Sequence, residues 1–256
     1  MRSREAKAPN PAGRRRRTIR LSTRVVVGIS AVLAVALAIV GVAVIAPTDS
    51  GRAVPKSTHT TGADVAAGAT SPLVAFYGDS YTRGSMASSP DKRWSTIVSR
   101  DHGWREFNPS HNGLGFIRHR SLFGHGDLPD LIIMQHPDIV IITLGLNDNF
   151  AFADSADSIH AQIGADFTRL KRGLPDARFI VVEPFWYADA RPPSVAIIGG
   201  WVEAAAADIQ SEYIQGASHW IEHHPEWMAS DGIHPNDRGY AEIATRMDAE
   251  LAQLGL

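Results

Sequence analysis

Three regimes of hydrophobic and polar patterning follow one another along the chain. Residues 25–46 form a run of 22 positions without one charged side chain, long enough to cross a bilayer as a helix. Residues 47–71 are rich in Thr, Ser, Gly, Ala and Pro and carry no apolar period, which reads as a flexible tether. From Pro72 onward, short apolar runs alternate with segments of helical periodicity, and this alternation predicts a parallel sheet sandwiched between helices. Strands are expected at 73–78, 104–107, 138–144 and 178–184, and helices near 91–101, 156–172, 194–213 and 237–253, the last capped by Asn236. The segment 114–136 reads as a loop followed by a short helix over 128–135. No second linker interrupts 72–256, so a single domain is expected there.

The flanks of the apolar span give it a direction. Arg14, Arg15, Arg16, Arg17, Arg20 and Arg24 precede it, so the positive-inside rule makes 1–24 a basic cytoplasmic tail and 25–46 a transmembrane signal anchor. That places 72–256 outside the cytoplasm on a single-pass membrane protein. The rival is a signal peptide cleaved after Ala46, giving a secreted protein, but its apolar region is usually roughly 7–15 residues long. Pro47 is also a poor neighbour for cleavage. The overall charge of −2 hides an asymmetry: residues 1–71 hold 11 Lys/Arg against 3 Asp/Glu, and 72–256 hold 14 against 24. An acidic globular part repels phosphate backbones, which argues against a nucleic-acid partner. The chain has no cysteine, which excludes disulfides and thiolate chemistry.

Four segments carry the candidate chemistry. The run Leu73-Val-Ala-Phe-Tyr-Gly-Asp-Ser80 is a buried strand ending in a tight polar turn, where open α/β sheets present their catalytic groups. Ser80 is the candidate nucleophile. Asn108-Pro-Ser-His-Asn-Gly113-Leu-Gly115 follows the second strand, and a glycine there lets the backbone approach a ligand with its N–H turned inward. Ile139-Val-Ile-Ile-Thr-Leu-Gly-Leu-Asn147-Asp148 is a central strand whose carboxyl end delivers an amide and a carboxylate to the same crevice. In Asp231-Gly-Ile-His234, the aspartate can bond the imidazole Nδ1–H and leave Nε2 free to take a proton from a serine. Glu222, His223 and His224 superficially suggest a metal, but sequence neighbours do not share a face, so no metal site is read there.

Taken together, these segments resemble the conserved blocks of the SGNH/GDSL hydrolase family. Gly78-Asp79-Ser80 is similar to the nucleophile block, Gly113 to the oxyanion glycine with Gly115 as a possible substitute, Gly145-Leu-Asn147-Asp148 to the G-x-N-D block, and Asp231-Gly-Ile-His234 to the D-x-x-H block. The resemblance implies a three-layer α/β/α sandwich with a flavodoxin-like parallel sheet. It also implies a Ser80-His234-Asp231 triad and an oxyanion hole from the Ser80 and Gly113 N–H groups and the Asn147 side chain, with no cofactor. Asp79 and Asp148 are expected to support the turns that aim Ser80 and Asn147. The function that follows is a serine esterase acting on an acylated small molecule, glycan or lipid. An O-acyltransferase using the same triad, supplied by a membrane acyltransferase partner, and a noncatalytic binding module are the alternatives. Among the aromatics, Phe185 and Trp186 are expected to flank the substrate because they follow a predicted strand.

Overall fold

The computed structural model describes residues 71–123 and 126–256. The basic tail 1–24, the apolar span 25–46 and nearly all of the tether 47–71 lie outside the described residues, and among the described ones no helix is long and apolar enough to cross a membrane.

Five parallel strands, β1 (Leu73–Tyr77), β2 (Arg105–Phe107), β3 (Ile139–Ile142), β4 (Arg178–Val182) and β5 (Glu212–Ile214), form one sheet in the order β2-β1-β3-β4-β5. This is the flavodoxin-like doubly wound order. Apart from Arg178 at the start of β4, the three central strands are apolar or aromatic and bury both faces, so their alternate residues feed two separate cores. Val74, Phe76, Ile139, Ile141, Ile180 and Val182 point to one side, where Trp94 and Val98 of α2 (Trp94–Asp101) and Tyr240, Ile243, Met247 and Leu251 of α6 (Asp237–Gln253) cover them. Ala75, Tyr77, Val140, Ile142, Phe179 and Val181 point to the other, under α3 (Leu128–Gln135), α4 (Phe152–Gly173) and α5 (Pro193–Asp208). Each fully buried Ile or Val contributes about 1.5–3 kcal/mol by leaving water, which makes the β1–β3–β4 centre the most stable part of the scaffold.

The layers match the expected sandwich, with one strand and several boundaries corrected. The helix expected over 194–213 ends at Asp208, and Gln210 at φ 56 turns the chain into β5, a fifth strand that was not expected. Glu212-Tyr-Ile is a three-residue edge strand, too short to carry a readable period-2 pattern. The third strand stops at Ile142 rather than at residue 144; Thr143 N–H still reaches Tyr77 O at 3.0 Å, but Gly145 at φ 137 bends the chain away. The helix α4 starts at Phe152 and is broken by the non-helical Ser155, which is why the regular period begins only at residue 156.

In this order the chain leaves β1 toward β2 on one side and reaches β3 on the other. The switch point therefore lies at the carboxyl ends of β1 and β3, where Ser80 and Asn147 emerge.

Candidate active site

Ser80 opens a single helical turn, α1 (Ser80–Arg83), directly after β1. Asp79 caps that turn by accepting the Tyr81 N–H on Oδ1 at 3.0 Å, and the turn closes when the Gly84 and Ser85 N–H groups reach back to Ser80 O at 3.0 and 2.9 Å. Ser80 is therefore held by its own backbone and is only 5% exposed.

Asp231 and His234 form a compact unit in the loop before α6. Asp231 Oδ2 lies 2.7 Å from His234 Nδ1, and Oδ1 accepts the backbone N–H groups of Ile233 and His234, both at 3.0 Å. Desolvation alone would raise the Asp231 carboxyl, but the bonds from His234 and the two backbone amides outweigh it and hold the group down at about 2. Asp231 is thus ionised over the working pH range, and the imidazole is oriented with Nε2 turned away from it. The loop is fixed by Ala229 N–H on His234 O at 2.8 Å and by the Asn236 side chain, which caps α6 through Gly239 N–H and donates to Glu226 O and Met228 O. Among the described residues Ser80 Oγ and His234 share no hydrogen bond. Tyr81 joins the two segments instead: its hydroxyl donates to Ile233 O at 2.6 Å and its ring lies 6.1 Å from the imidazole. Nucleophile–base contacts are commonly long before substrate binds.

Asn147 follows β3 and donates its side-chain amide to Leu114 O at 2.9 Å and to Asp79 Oδ2 at 3.3 Å, so it ties the segments carrying Ser80 and Gly113 together. Its neighbour Asp148 is fully buried and accepts the Phe116 and Ile117 N–H groups at 2.7 and 3.1 Å, pinning the same loop from below. Burial pushes the Asp148 carboxyl up to about 6 against the pull of those two bonds. Asp79 is likewise pushed up to about 7, chiefly by burial, with the Tyr81 N–H acting in the opposite direction and the Asp148 charge adding to the rise.

The two glycines of this loop have different jobs. Gly115 donates its N–H to Arg118 O at 3.1 Å, and a Cβ there would stand 2.6 Å from Asp148 Oδ1, so its smallness serves packing. Gly113 sits at φ 72, and among the described residues its N–H has no protein acceptor. Of the two, Gly113 is the one with an amide left to offer a ligand.

Sequence reasoning missed two parts of this site. Asn108 donates to Thr82 O at 2.8 Å and to Ser95 Oγ at 2.9 Å, stapling the end of β2 to α1. Arg120 donates to Phe116 O at 2.8 Å and pairs with the buried Asp166, which also accepts the Tyr77 hydroxyl at 2.7 Å. The available signal was Asp166 itself, an acid on the apolar stripe Ile163-Phe167-Leu170 of α4. Phe185 and Trp186 do not flank a substrate: they are 2% and 3% exposed, Phe185 stacking on Tyr81 and Trp186 donating to Ala190 O. The exposed aromatic nearby is Phe150, with Arg118 over its ring. Glu222 pairs with Arg191, His223 with Asp189 and His224 with Glu226, so these three side chains serve separate partners.

Known proteins resemble this chain in sequence or in fold. A GDSL lipase of Mycobacterium tuberculosis is 25% identical over 187 residues, covering 68% of this chain and 79% of its own. The psychrotrophic esterase EstA from Pseudoalteromonas superposes with a TM-score of 0.60 at 15% identity, covering 72% of this chain and 98% of that one. Est24, a carbohydrate acetylesterase from Sinorhizobium meliloti, gives 0.54 at 19% identity over 72% and 100% of the two chains. At these identities the two structures establish the fold alone. The sequence itself establishes the family: residues 76–242 match the GDSL-like Lipase/Acylhydrolase family, and the chain belongs to it, as a serine hydrolase acting on ester bonds.

Proposed function

We propose that this chain hydrolyses small acyl esters through a Ser80-His234-Asp231 triad. The observation that carries the reading is the Asp231–His234 pair, in which a carboxylate held by two backbone amides orients the imidazole at 2.7 Å, in a loop that Tyr81 tethers to the turn bearing Ser80. In the reaction, Ser80 Oγ attacks the ester carbonyl while His234 Nε2 takes its proton, and Asp231 stabilises the imidazolium that forms. The Ser80 and Gly113 N–H groups and the Asn147 amide receive the oxyanion. Asn147 contributes by releasing its longer contact, the 3.3 Å bond to Asp79, while the 2.9 Å bond to Leu114 O keeps it in place. His234 then returns the proton to the departing alcohol, and water releases the acid.

The substrate class proposed is an acylated envelope glycan or lipid. It is supported by the expected anchor over 25–46, which holds 72–256 outside the cytoplasm, and by the fold shared with a carbohydrate acetylesterase. A reporter fused after Leu256 is expected to be active only outside the cytoplasm; cytoplasmic activity overturns the placement. The chemistry is tested on the purified full chain with p-nitrophenyl acetate. Repeated turnover that is lost in His234→Ala supports hydrolysis by the triad. A single stoichiometric burst that a glycan acceptor relieves makes the protein an acyltransferase instead.

A further inference from the structure

Beside the turn that carries Ser80, a cavity of about 520 Å³ opens between α1 and the loop after β2. Its volume lies in the range of small-molecule sites, about 300–1,000 Å³. Its walls bring Arg83, Arg93 and His111 together with Ser89, Asn108 and Ser110, and no carboxylate lines it.

One wall is built on the nucleophile's own turn. Arg83 lies three residues after Ser80, about one helical turn of roughly 5 Å along the axis. Gly84, which donates to Ser80 O, forms part of the lining, and the Arg93 stem lies so close over it that a Cβ on Gly84 would come within 2.3 Å of Arg93 Cγ. On the opposite wall, His111 N–H reaches Gly78 O at 3.4 Å and Ser85 Oγ donates to Asn112 Oδ1 at 2.6 Å, next to Gly113. The cavity therefore begins one turn from Ser80 and two residues from Gly113.

Its charge runs against the rest of the domain. Residues 72–256 hold 14 Lys/Arg against 24 Asp/Glu, yet two arginines face this one space, and among the described residues neither has an acidic partner. Arg120, Arg169, Arg178 and Arg191, by contrast, are all paired. Three carboxylates stand behind the walls and are already engaged: Asp237 accepts the N–H and hydroxyl of Ser88, Asp91 accepts the Ser89 hydroxyl and pairs with Lys92, and Glu106 accepts Ser95, Thr96 and Asn108. The side-chain donors of Ser88, Ser89, Asn108 and Ser110 already serve protein acceptors, so what the pocket offers a ligand is two guanidinium forks with no carboxylate on its walls, a setting complementary to an oxyanion.

We propose that this cavity is an anion subsite, which binds a phosphate or carboxylate carried by the ester substrate about one helical turn from the scissile carbonyl. The proposal rests on the serine-esterase reading of Ser80 and narrows its substrate class to anionic esters. Phenyl acetate, 4-acetoxyphenyl phosphate and 4-acetoxybenzoate are compared as substrates of the full-length protein. The two anionic esters should be turned over with kcat/KM about tenfold above phenyl acetate, as befits one or two partly exposed charge-assisted contacts. The better of the two identifies the anion. In Arg83→Gln/Arg93→Gln the preference should collapse toward unity. Arg83→Glu, a change at an exposed side chain that spares the Arg93–Gly84 packing, should reverse it. Equal kcat/KM for the three esters in the wild type, or a preference that survives both variants, overturns the subsite. Binding of inorganic phosphate to Ser80→Ala, measured by calorimetry and lost in Ser80→Ala/Arg83→Glu, reads the cavity without catalysis. An inactive wild type that still binds phosphate in this way removes the esterase reading and leaves the anion site standing; no phosphate binding together with no ester preference removes the site alone.

Discussion

Asp79 is an acid that the site keeps at a cost to the fold, and Asp79→Asn should reveal it. Its carboxyl is buried at 1% exposure and rises from its ordinary 3.8 to about 7, principally through desolvation. The folded state therefore holds a proton that the unfolded state has already released between pH 3.8 and 7. The stability contributed by that proton is fully present below pH 3.8 and is lost as the pH rises through 7. At 1.36 kcal/mol per pH unit, the ionised group costs the native state about 4 kcal/mol at pH 8, an upper bound because local relaxation and water entry soften it. Asparagine removes that cost and keeps an oxygen for the Tyr81 N–H, but it sets an amide against the Asn147 amide, where Asp79 Oδ2 now accepts at 3.3 Å; the lost bond costs about 1 kcal/mol. Asp79→Asn should accordingly be more stable than wild type by about 2–3 kcal/mol at pH 8, with the gain nearly gone at pH 5, where wild-type Asp79 is mostly protonated. Urea unfolding of both proteins at pH 5, 6, 7 and 8 measures the difference, and the Tm should rise by several degrees at pH 8. Turnover should fall, since the amide introduced at 79 opposes the Asn147 amide and strains the Leu114 O bond that keeps Asn147 in place; stability and activity would move in opposite directions. A variant less stable than wild type at pH 8, or a difference independent of pH, refutes the reasoning.

Three further changes probe the loop that faces Ser80. Asn147→Ala should lower kcat by roughly 10²–10³ with little change in KM, and a large KM rise at constant kcat in steady-state kinetics would move Asn147 to ground-state binding. Gly113→Ala forces an L-residue to φ 72 and sets its Cβ 2.7 Å from His119 Nδ1, so it should cost about 1–2 kcal/mol in chemical unfolding and reduce kcat about a hundredfold; unchanged kinetics would show that this amide faces no oxyanion. Arg120→Met strips the buried Asp166 of its cation and the Phe116 carbonyl of its donor, and should destabilise the protein by about 3–5 kcal/mol in the same assay, whereas a loss below about 1 kcal/mol would make the pair a surface-like contact.

The legible parts of this molecule are those that one short segment determines alone. The apolar runs of β1, β3 and β4 are buried on both faces, and such runs end where a doubly wound sheet opens its crevice, so Ser80 and Asn147 could be placed from their strands. Asp231 and His234 lie three residues apart, and their pairing is local. What was not legible depends on partners distant in sequence. The strand β5 exists because β4 offers it an edge, and its three residues carry no period of their own. Asp166 meets Arg120 across 46 positions and Tyr77 across 89, so a helix pattern registers only an acid on the wrong face. Phe185 and Trp186 follow β4 as a rim residue would, yet Tyr81, Trp94 and Trp220 close over Phe185 and turn it into core. Gly113 and Gly115 are alike in sequence and separate only when their N–H groups are followed to acceptors.

The central claim is that Ser80 is the nucleophile of a Ser-His-Asp esterase. Labelling of the purified full chain with a fluorophosphonate, followed by mass mapping of the modified peptide, tests it most directly. One phosphonyl group on Ser80, absent in Ser80→Ala that retains the wild-type melting curve and strongly slowed in His234→Ala, is the predicted result. A chain that stays unlabelled while a reference serine esterase reacts under the same conditions, or one labelled at another serine, contradicts it.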